Sequence, residues 1–148
     1  MKLVDTNVLL YAVDADSPHH KQSLTWIEET LSAGPGMALA WIAIVGFVRL
    51  STRRGILRMP LSVVESLASV DDWLGHPNAR ILHPGQRHAD LFARLLLAAG
   101  TAGNLTNDAH LAALAIEHNA EIGTFDRDFK RFSGLKFQLI SDYFSCPV

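Results

Sequence analysis

Three aspartates stand where carboxylate chemistry would need them. Asp5 follows the apolar pair Leu3-Val4, and a helical apolar pattern (Val8, Leu9, Leu10, Ala12, Val13) begins directly after it. Residues 2–5 therefore read as a short buried strand, with Thr6 or Asn7 as the cap of the following helix. Asp126 repeats the design after Glu121-Ile122-Gly123-Thr124-Phe125, with a helical turn over residues 127–132. Asp108 opens an Ala-rich helix running to about residue 118. Leu111, Ala112 and Ala115 fall at i+3, i+4 and i+7 from it, so its own face is apolar and should pack on a sheet. An ionised carboxylate turned toward a core edge is costly unless paired or metal-bound.

Each aspartate by itself has a plain structural use: Asp5 as a cap, Asp108 as a partner of a helix dipole, Asp126 as a turn residue. The joint pattern asks for more. Two of the three end strands at the sheet edge where open parallel sheets bind ligands, and the third lies on a helix face directed at the core. Carboxylates gathered at short range repel and raise one another's pKa, and such a set of hard oxygens is what Mg²⁺ or Mn²⁺ requires, with several waters retained. The neighbouring hydroxyls and amides of Thr6, Asn7, Asn107 and Thr124 suit hydrogen bonding to metal ligands or waters. The seven histidines offer no comparable pattern. None is spaced from another as metal ligands are. His19 and His20 read as exposed, and His110 and His118 lie off the Asp108 face, so structural or solvated roles are expected.

Positioning these acids takes an alternating chain. A second helix is expected over residues 18–31 with a stripe of Leu24, Ile27 and Leu31, then a strand over 37–40. Residues 41–52 form a helix apolar nearly all round, which suggests burial on two sides, one of them a possible subunit interface. Ser62 caps a helix over 63–74. A strand over 80–82, a helix over 86–99 with Leu91, Phe92, Leu95 and Leu96 inside, and a flexible connector over 100–104 lead to Asp108. A last strand covers 137–140. Strands alternating with helices imply one α/β domain over residues 1–148, a parallel sheet of about five short strands with helices on both faces.

Composition narrows the class. Of 148 residues, 49% are hydrophobic and 19% charged, the profile of a compact domain rather than a disordered chain. The longest apolar run, residues 37–48, is too short to span a bilayer, and Asp5 interrupts any secretory signal, so no membrane partner is expected. Cys146 is the single cysteine, which excludes an internal disulfide or a cysteine zinc site and favours the cytoplasm. With a net charge of −2 the chain has no overall field to hold nucleic acid. Contact must come from local patches, and Arg49, Arg53, Arg54 and Arg58 form one candidate, Lys130 and Arg131 another. Taken alone, either patch also reads as solvated surface charge.

With Val4-Asp5-Thr6-Asn7-Val8-Leu9, Phe47-Val48-Arg49-Leu50, the run from Asn107 to Ala115 and Thr124-Phe125-Asp126-Arg127-Asp128-Phe129 in this order, the chain resembles the PIN-domain ribonucleases. Within them it is similar to the VapC-type toxins of bacterial toxin–antitoxin pairs, over nearly its whole length. The resemblance implies a PIN-like three-layer α/β/α fold, a homodimer, a Mg²⁺-dependent endoribonuclease and a cognate antitoxin that blocks the site. By position, Asp5, Asp108 and Asp126 match the family's catalytic metal-binding acids and Asp128 a further acid of many members. Many members also carry a glutamate three residues before the arginine of Phe47-Val48-Arg49, where this chain has Gly46. A glycine inside a helix costs about 1 kcal/mol against alanine, so it suggests close packing at that point.

Hydrolysis of an RNA strand needs a deprotonated water and stabilisation of charge on phosphorus, both of which Mg²⁺ supplies, with Mn²⁺ as a substitute. Asp5 and Asp108 would hold the ion, Asp126 would complete its shell or orient the attacking water, and Arg49 would touch a phosphate. Gly46 motivates a different reading, an inert module that binds antitoxin or RNA without cutting. A phosphatase or phospho-receiver domain fits poorly. The phosphatase wants a second acid at position 7, which is Asn7. The receiver wants an acidic pair after the first strand and an Asp after the third, which runs into His83-Pro84.

Overall fold

A computed structural model describes residues 1–143; Cys146 lies outside them. Five parallel strands form one sheet: β1 (Lys2–Val4), β2 (Met37–Leu39), β3 (Ala79–Ile81), β4 (Glu121–Thr124) and β5 (Phe137–Leu139), in the order β3-β2-β1-β4-β5. The chain works outward from β1 to β3 on one side, then crosses back to place β4 against the other edge of β1. Strand order thus reverses between β1 and β4, the place where such sheets open a crevice at their carboxyl ends.

The helices are α1 (Thr6–Ala12), α2 (His20–Ser32), α3 (Trp41–Thr52), α4 (Val63–Leu74), α5 (His88–Ala99), α6 (Thr106–Glu117) and the short α7 (Ile140–Tyr143). Side chains of each strand alternate between two cores. Leu3 and Ala38 join Leu91, Leu95 and the Ala-rich face of α6 on one side, while Val4, Met37 and Leu39 join Leu9, Trp26 and Phe47 on the other. The result is the expected three-layer α/β/α arrangement. Among the described residues no helix is long and apolar enough to cross a membrane.

Several expectations shift by a turn or a face. Asp5, rather than Thr6 or Asn7, is the N-cap of α1, its Oδ1 accepting from the Thr6 amide at 2.7 Å, so one residue both ends the strand and starts the helix. On α2 the buried stripe is Ser23, Trp26, Ile27 and Thr30, and Leu24 is exposed. Trp26 decides that rotation: its ring lies over β4 where Gly123 leaves room, an added Cβ there striking the indole, and its Nε1 donates to Gln138 Oε1 at 3.1 Å. One bulky ring with a seat across the sheet outweighs two leucines. His19 and His20 are half-buried rather than exposed. The His19 ring lies tilted against those of Tyr11 and Phe125, and His20 Nδ1 lies 2.9 Å from the Tyr11 carbonyl.

The apolar helix α3 is buried on one flank only within this chain. Ala43, Ile44, Phe47 and Ser51 face inward, while Trp41 is 52% and Val45 60% exposed. The sequence also suggests a partner surface on the second and third helices around Trp26, Trp41, Ile44 and Phe47. Trp26, Ile44 and Phe47 are instead core residues, and Trp41 alone of the four remains outside. Exposed apolar side chains instead gather on α4 and the loop before it, at Met59, Val63, Val64 and Leu67. The α4 start matches its pattern fully: Ser62 and Glu65 form a reciprocal capping box.

Candidate active site

Strand register builds the site. Val4 pairs with Gly123, and the Asp5 amide donates to the Gly123 carbonyl at 3.0 Å, so Asp5 and Thr124 leave the sheet side by side. Thr124 Oγ1 donates to Asp5 Oδ2 at 2.7 Å and accepts from the Asp126 amide at 3.0 Å. Asn7 Nδ2 donates to Asp5 Oδ2 at 3.1 Å, while Asn7 Oδ1 accepts from the Phe125 amide at 3.3 Å. Asp126 in turn caps the 3₁₀ turn Arg127–Arg131, accepting from the Asp128 amide at 2.8 Å. The loops after β1 and β4 are thereby tied together through two side chains, Asn7 and Thr124. The expected capping role of Asp5 and turn role of Asp126 are real, and they leave both carboxylates fixed in direction.

The electrostatics follow from this closeness. Asp108, in the first turn of α6, has its carboxyl pushed up to about 7, first by burial and then by the charges of Asp5, Asp126 and Asp128 in turn. Asp5 is also raised above the ordinary carboxylate range, chiefly by burial, with Asp126 adding to it; hydrogen bonds from Thr124, Thr6 and Asn7 oppose the rise. Three segments far apart in the chain therefore bring four acids within electrostatic reach of one another. Among the described residues none of the four is in an ion pair with lysine or arginine.

A cleft of about 560 Å³ opens over this edge, lined by Asp5, Asp108 and Asp126 together with Thr6, Asn7 and Asn107. Arg49 enters it from the last turn of α3. Thr124 is fully buried behind Asp5 and holds the carboxylate from below. Asp128 is exposed and outside the cleft wall, acting on Asp108 only through its charge. Of the other arginines in the same basic patch, Arg53, Arg54 and Arg58 are exposed and do not line the cleft. Gly46 does line it, and the expected close packing is there: an added Cβ would stand 3.2 Å from both Oγ1 and Cγ2 of Thr6. The cleft also has an apolar wall on α3, where Trp41, expected at a partner surface, stands with Ile42 and Val45, which were not expected at the site. The spacing of Trp41, Val45 and Arg49 at i, i+4 and i+8, one face of one helix, was the available signal.

The donor set fits a hard divalent cation. It is all oxygen, its members repel one another, and Asp5 Oδ1 spends only one lone pair, on the Thr6 amide. Among the described residues no three His, Cys, Asp or Glu side chains are grouped closely enough to hold a metal ion by themselves.

Comparison with known proteins follows the same lines. Residues 2–135 match the family model of the PIN domain. The chain is 49% identical over 137 residues to ribonuclease VapC37 of Mycobacterium tuberculosis, covering 93% of this chain and 95% of that protein. It is 40% identical to ribonuclease VapC33 of the same species, over 93% of this chain and 96% of that protein. Among solved structures, VapBC2 from Rickettsia felis bound to a DNA fragment from its promoter superposes with a TM-score of 0.68 at 21% identity, over 93% of this chain and 96% of that one. VapC20 of Mycobacterium tuberculosis superposes with a TM-score of 0.62 at 19% identity, over 92% of this chain and 99% of that one.

Proposed function

The chain belongs to the PIN-domain family, its relatives there being VapC ribonucleases, and from that premise we propose that it is a Mg²⁺-dependent endoribonuclease toxin held in check by a cognate antitoxin. One observation carries the reading: Asp5, Asp108 and Asp126 line one cleft, and burial first, then the charges of Asp5, Asp126 and Asp128, lift the Asp108 carboxyl to about 7 with no basic partner among the described residues. Unrelieved repulsion of this kind is a cost the fold bears unless a cation relieves it.

Asp5 and Asp108 are the residues to hold Mg²⁺ or Mn²⁺, with Asp126 completing the set and Asp128 adding charge from outside. When bound, such an ion lowers the pKa of water and clamps a phosphoryl oxygen. The protein's own part is orientation. The Thr6 amide, Asn7 and Thr124 fix both oxygens of Asp5, and the Thr124 hydroxyl keeps Asp126 in register with it. Asn107 stands at the rim of the cleft beside Asp108, where its amide can bond a water or a ribose hydroxyl. Arg49, exposed at the opposite side, offers a planar fork to a phosphate flanking the cut. An antitoxin occupying this cleft would silence it. A homodimer would bury the exposed apolar side chains of α4.

The test is cleavage of RNA by the purified chain in Mg²⁺, abolished by chelator and by Asp5→Asn or Asp108→Asn. Asp108→Asn should melt no lower than the parent, since it removes a charge from a repelling set. Asp5→Asn turns an amide NH2 toward one of the donors that Asp5 accepts, and should melt lower while still folding. RNA bound but left intact in Mg²⁺ and Mn²⁺ would establish the inert module that Gly46 motivates.

A further inference from the structure

The cleft has a side that the carboxylate chemistry does not use. Trp41, Val45 and Arg49 succeed one another at i, i+4 and i+8 along α3, and all three are exposed and line the cleft. At 1.5 Å per residue they span about 12 Å, an indole at one end and a guanidinium at the other. The three tryptophans of the chain differ sharply in their surroundings. Trp26 is 1% exposed inside the core, Trp73 is half-buried with its ring edge-on to Phe47, and Trp41 keeps 52% of its surface in water. An indole left this open beside Ile42 and Val45, in a concave site facing acids, is a flat apolar surface awaiting an occupant.

We propose that Trp41 is a stacking platform for an RNA base next to the cut, so that α3 guides the substrate strand across the cleft, base on Trp41 and phosphate toward Arg49. This rests on the reading of the cleft as a ribonuclease site. RNA base recognition works on bases that have left their own stack and lie on aromatic faces, and every base offers such a face. Trp41 therefore sets where the strand lies and favours purines, which stack over a larger area. Val45 fills the space beneath the sugar, and the carboxylates receive the phosphate between the two anchors.

Two substitutions separate the possibilities: Trp41→Phe keeps an aromatic face, and Trp41→Leu keeps an apolar side chain without one. With a short single-stranded oligoadenylate in chelator, the parent's indole fluorescence should be quenched. Trp41→Phe should bind within a few-fold of the parent with the quenching gone, and Trp41→Leu should bind about tenfold more weakly. In Mg²⁺, Trp41→Leu should raise KM for RNA cleavage with a smaller change in kcat, and oligoadenylate should bind the parent more tightly than oligouridylate. Equal binding and equal KM in the parent and Trp41→Leu, in a protein that does cleave RNA, would overturn the platform while leaving the ribonuclease reading intact. So would a Trp41→Leu variant that handles RNA normally but fails to associate with antitoxin or with a second copy, since Trp41 would then be a protein contact. A parent chain that neither binds nor cleaves any RNA would overturn both.

Discussion

Thr124 and Asp5, 119 positions apart in sequence, share a buried hydrogen bond of 2.7 Å across the strands β1 and β4. The hydroxyl has no freedom to spare: it donates to Asp5, accepts from the Asp126 amide, and receives a longer contact of 3.3 Å from Asn7 Nδ2. One oxygen thus sets the spacing of two acids on neighbouring strands.

Replacing that oxygen should be felt twice. Thr124→Val preserves shape but leaves the Asp126 amide without its acceptor and Asp5 without its shortest side-chain donor. A loss of about 1–3 kcal/mol of stability is expected, together with weaker Mn²⁺ binding. Thr124→Ser should restore both. Chemical denaturation and calorimetric Mn²⁺ titration of the three proteins check this, and a Thr124→Val variant that binds Mn²⁺ like the parent would remove Thr124 from the site.

Asp108 should make the metal-free protein less stable toward alkaline pH. Its folded carboxyl titrates near 7 and its ordinary value is 3.8. Between those values the native state binds more protons than the unfolded one, so stability falls as pH rises. The contribution is full below the ordinary value and is lost as pH passes through about 7. In chelator, the melting temperature should therefore drop from about pH 5 to about pH 8. Asp108→Asn should flatten that slope, and saturating Mg²⁺ should do the same by replacing the proton with a cation. A slope unchanged in Asp108→Asn would assign it to other groups.

Gly46 and Thr6 should behave as a coupled pair. A Cβ at 46 stands 3.2 Å from two atoms of Thr6, so a side chain there pushes α3 from α1 unless Thr6 is trimmed. Gly46→Glu alone should lower stability, and Thr6→Ala with Gly46→Glu should recover most of the loss, a coupling of about 0.5–3 kcal/mol in a double-mutant cycle. The count of metals depends on the same position. Two divalent ions need several shared carboxylates to offset their repulsion, and the parent cleft is lined by three, at Asp5, Asp108 and Asp126. Calorimetry without RNA should show one strong Mn²⁺ site in the parent and a tightened second site in the double variant. Two sites of similar affinity in the parent would defeat the charge argument.

The partner surface should lie on α4. Val64 is 78% exposed and Leu67 47%, with Met59 at 78% in the loop before them. Large apolar side chains left exposed on one short stretch of chain are costly in water and suit contact with another chain. The parent is expected to be a dimer and to bind the antitoxin, and Val64→Asp with Leu67→Asp should break one of these associations without lowering the melting temperature of the isolated chain. Sedimentation and co-purification with the product of the neighbouring gene decide it. A strict monomer at micromolar concentration with no affinity for that product would refute the assignment.

Much of this architecture was written locally. A strand that stops at a carboxylate and a helix that starts beside it are legible because the apolar period changes from two to 3.6 within a few residues. The same holds for Asp108, whose i+3, i+4 and i+7 neighbours are apolar and prove to be buried, and for α4, whose Ser62 and Glu65 announce its first turn. Where expectation failed, the deciding contact came from elsewhere in the chain. Leu24 lost its place on α2 because Trp26 has a seat over Gly123, and His19 is half-buried because Tyr11 and Phe125 stand beside it.

Sequence by itself determined which segments are strands and helices and which acids end them, since those depend on side chains a few residues apart. It also marked Gly46 as a place of close approach. Only the tertiary structure decided that β4 lies against β1, so that Thr124 serves Asp5 and three remote carboxylates raise a fourth. It also decided that Ile44 and Phe47 go inward while Trp41 and Val45 of the same apolar helix line the cleft. Strand neighbours and the buried side of an apolar helix are set by pairing and packing between distant segments, and repulsion between charges exists only once those segments have met.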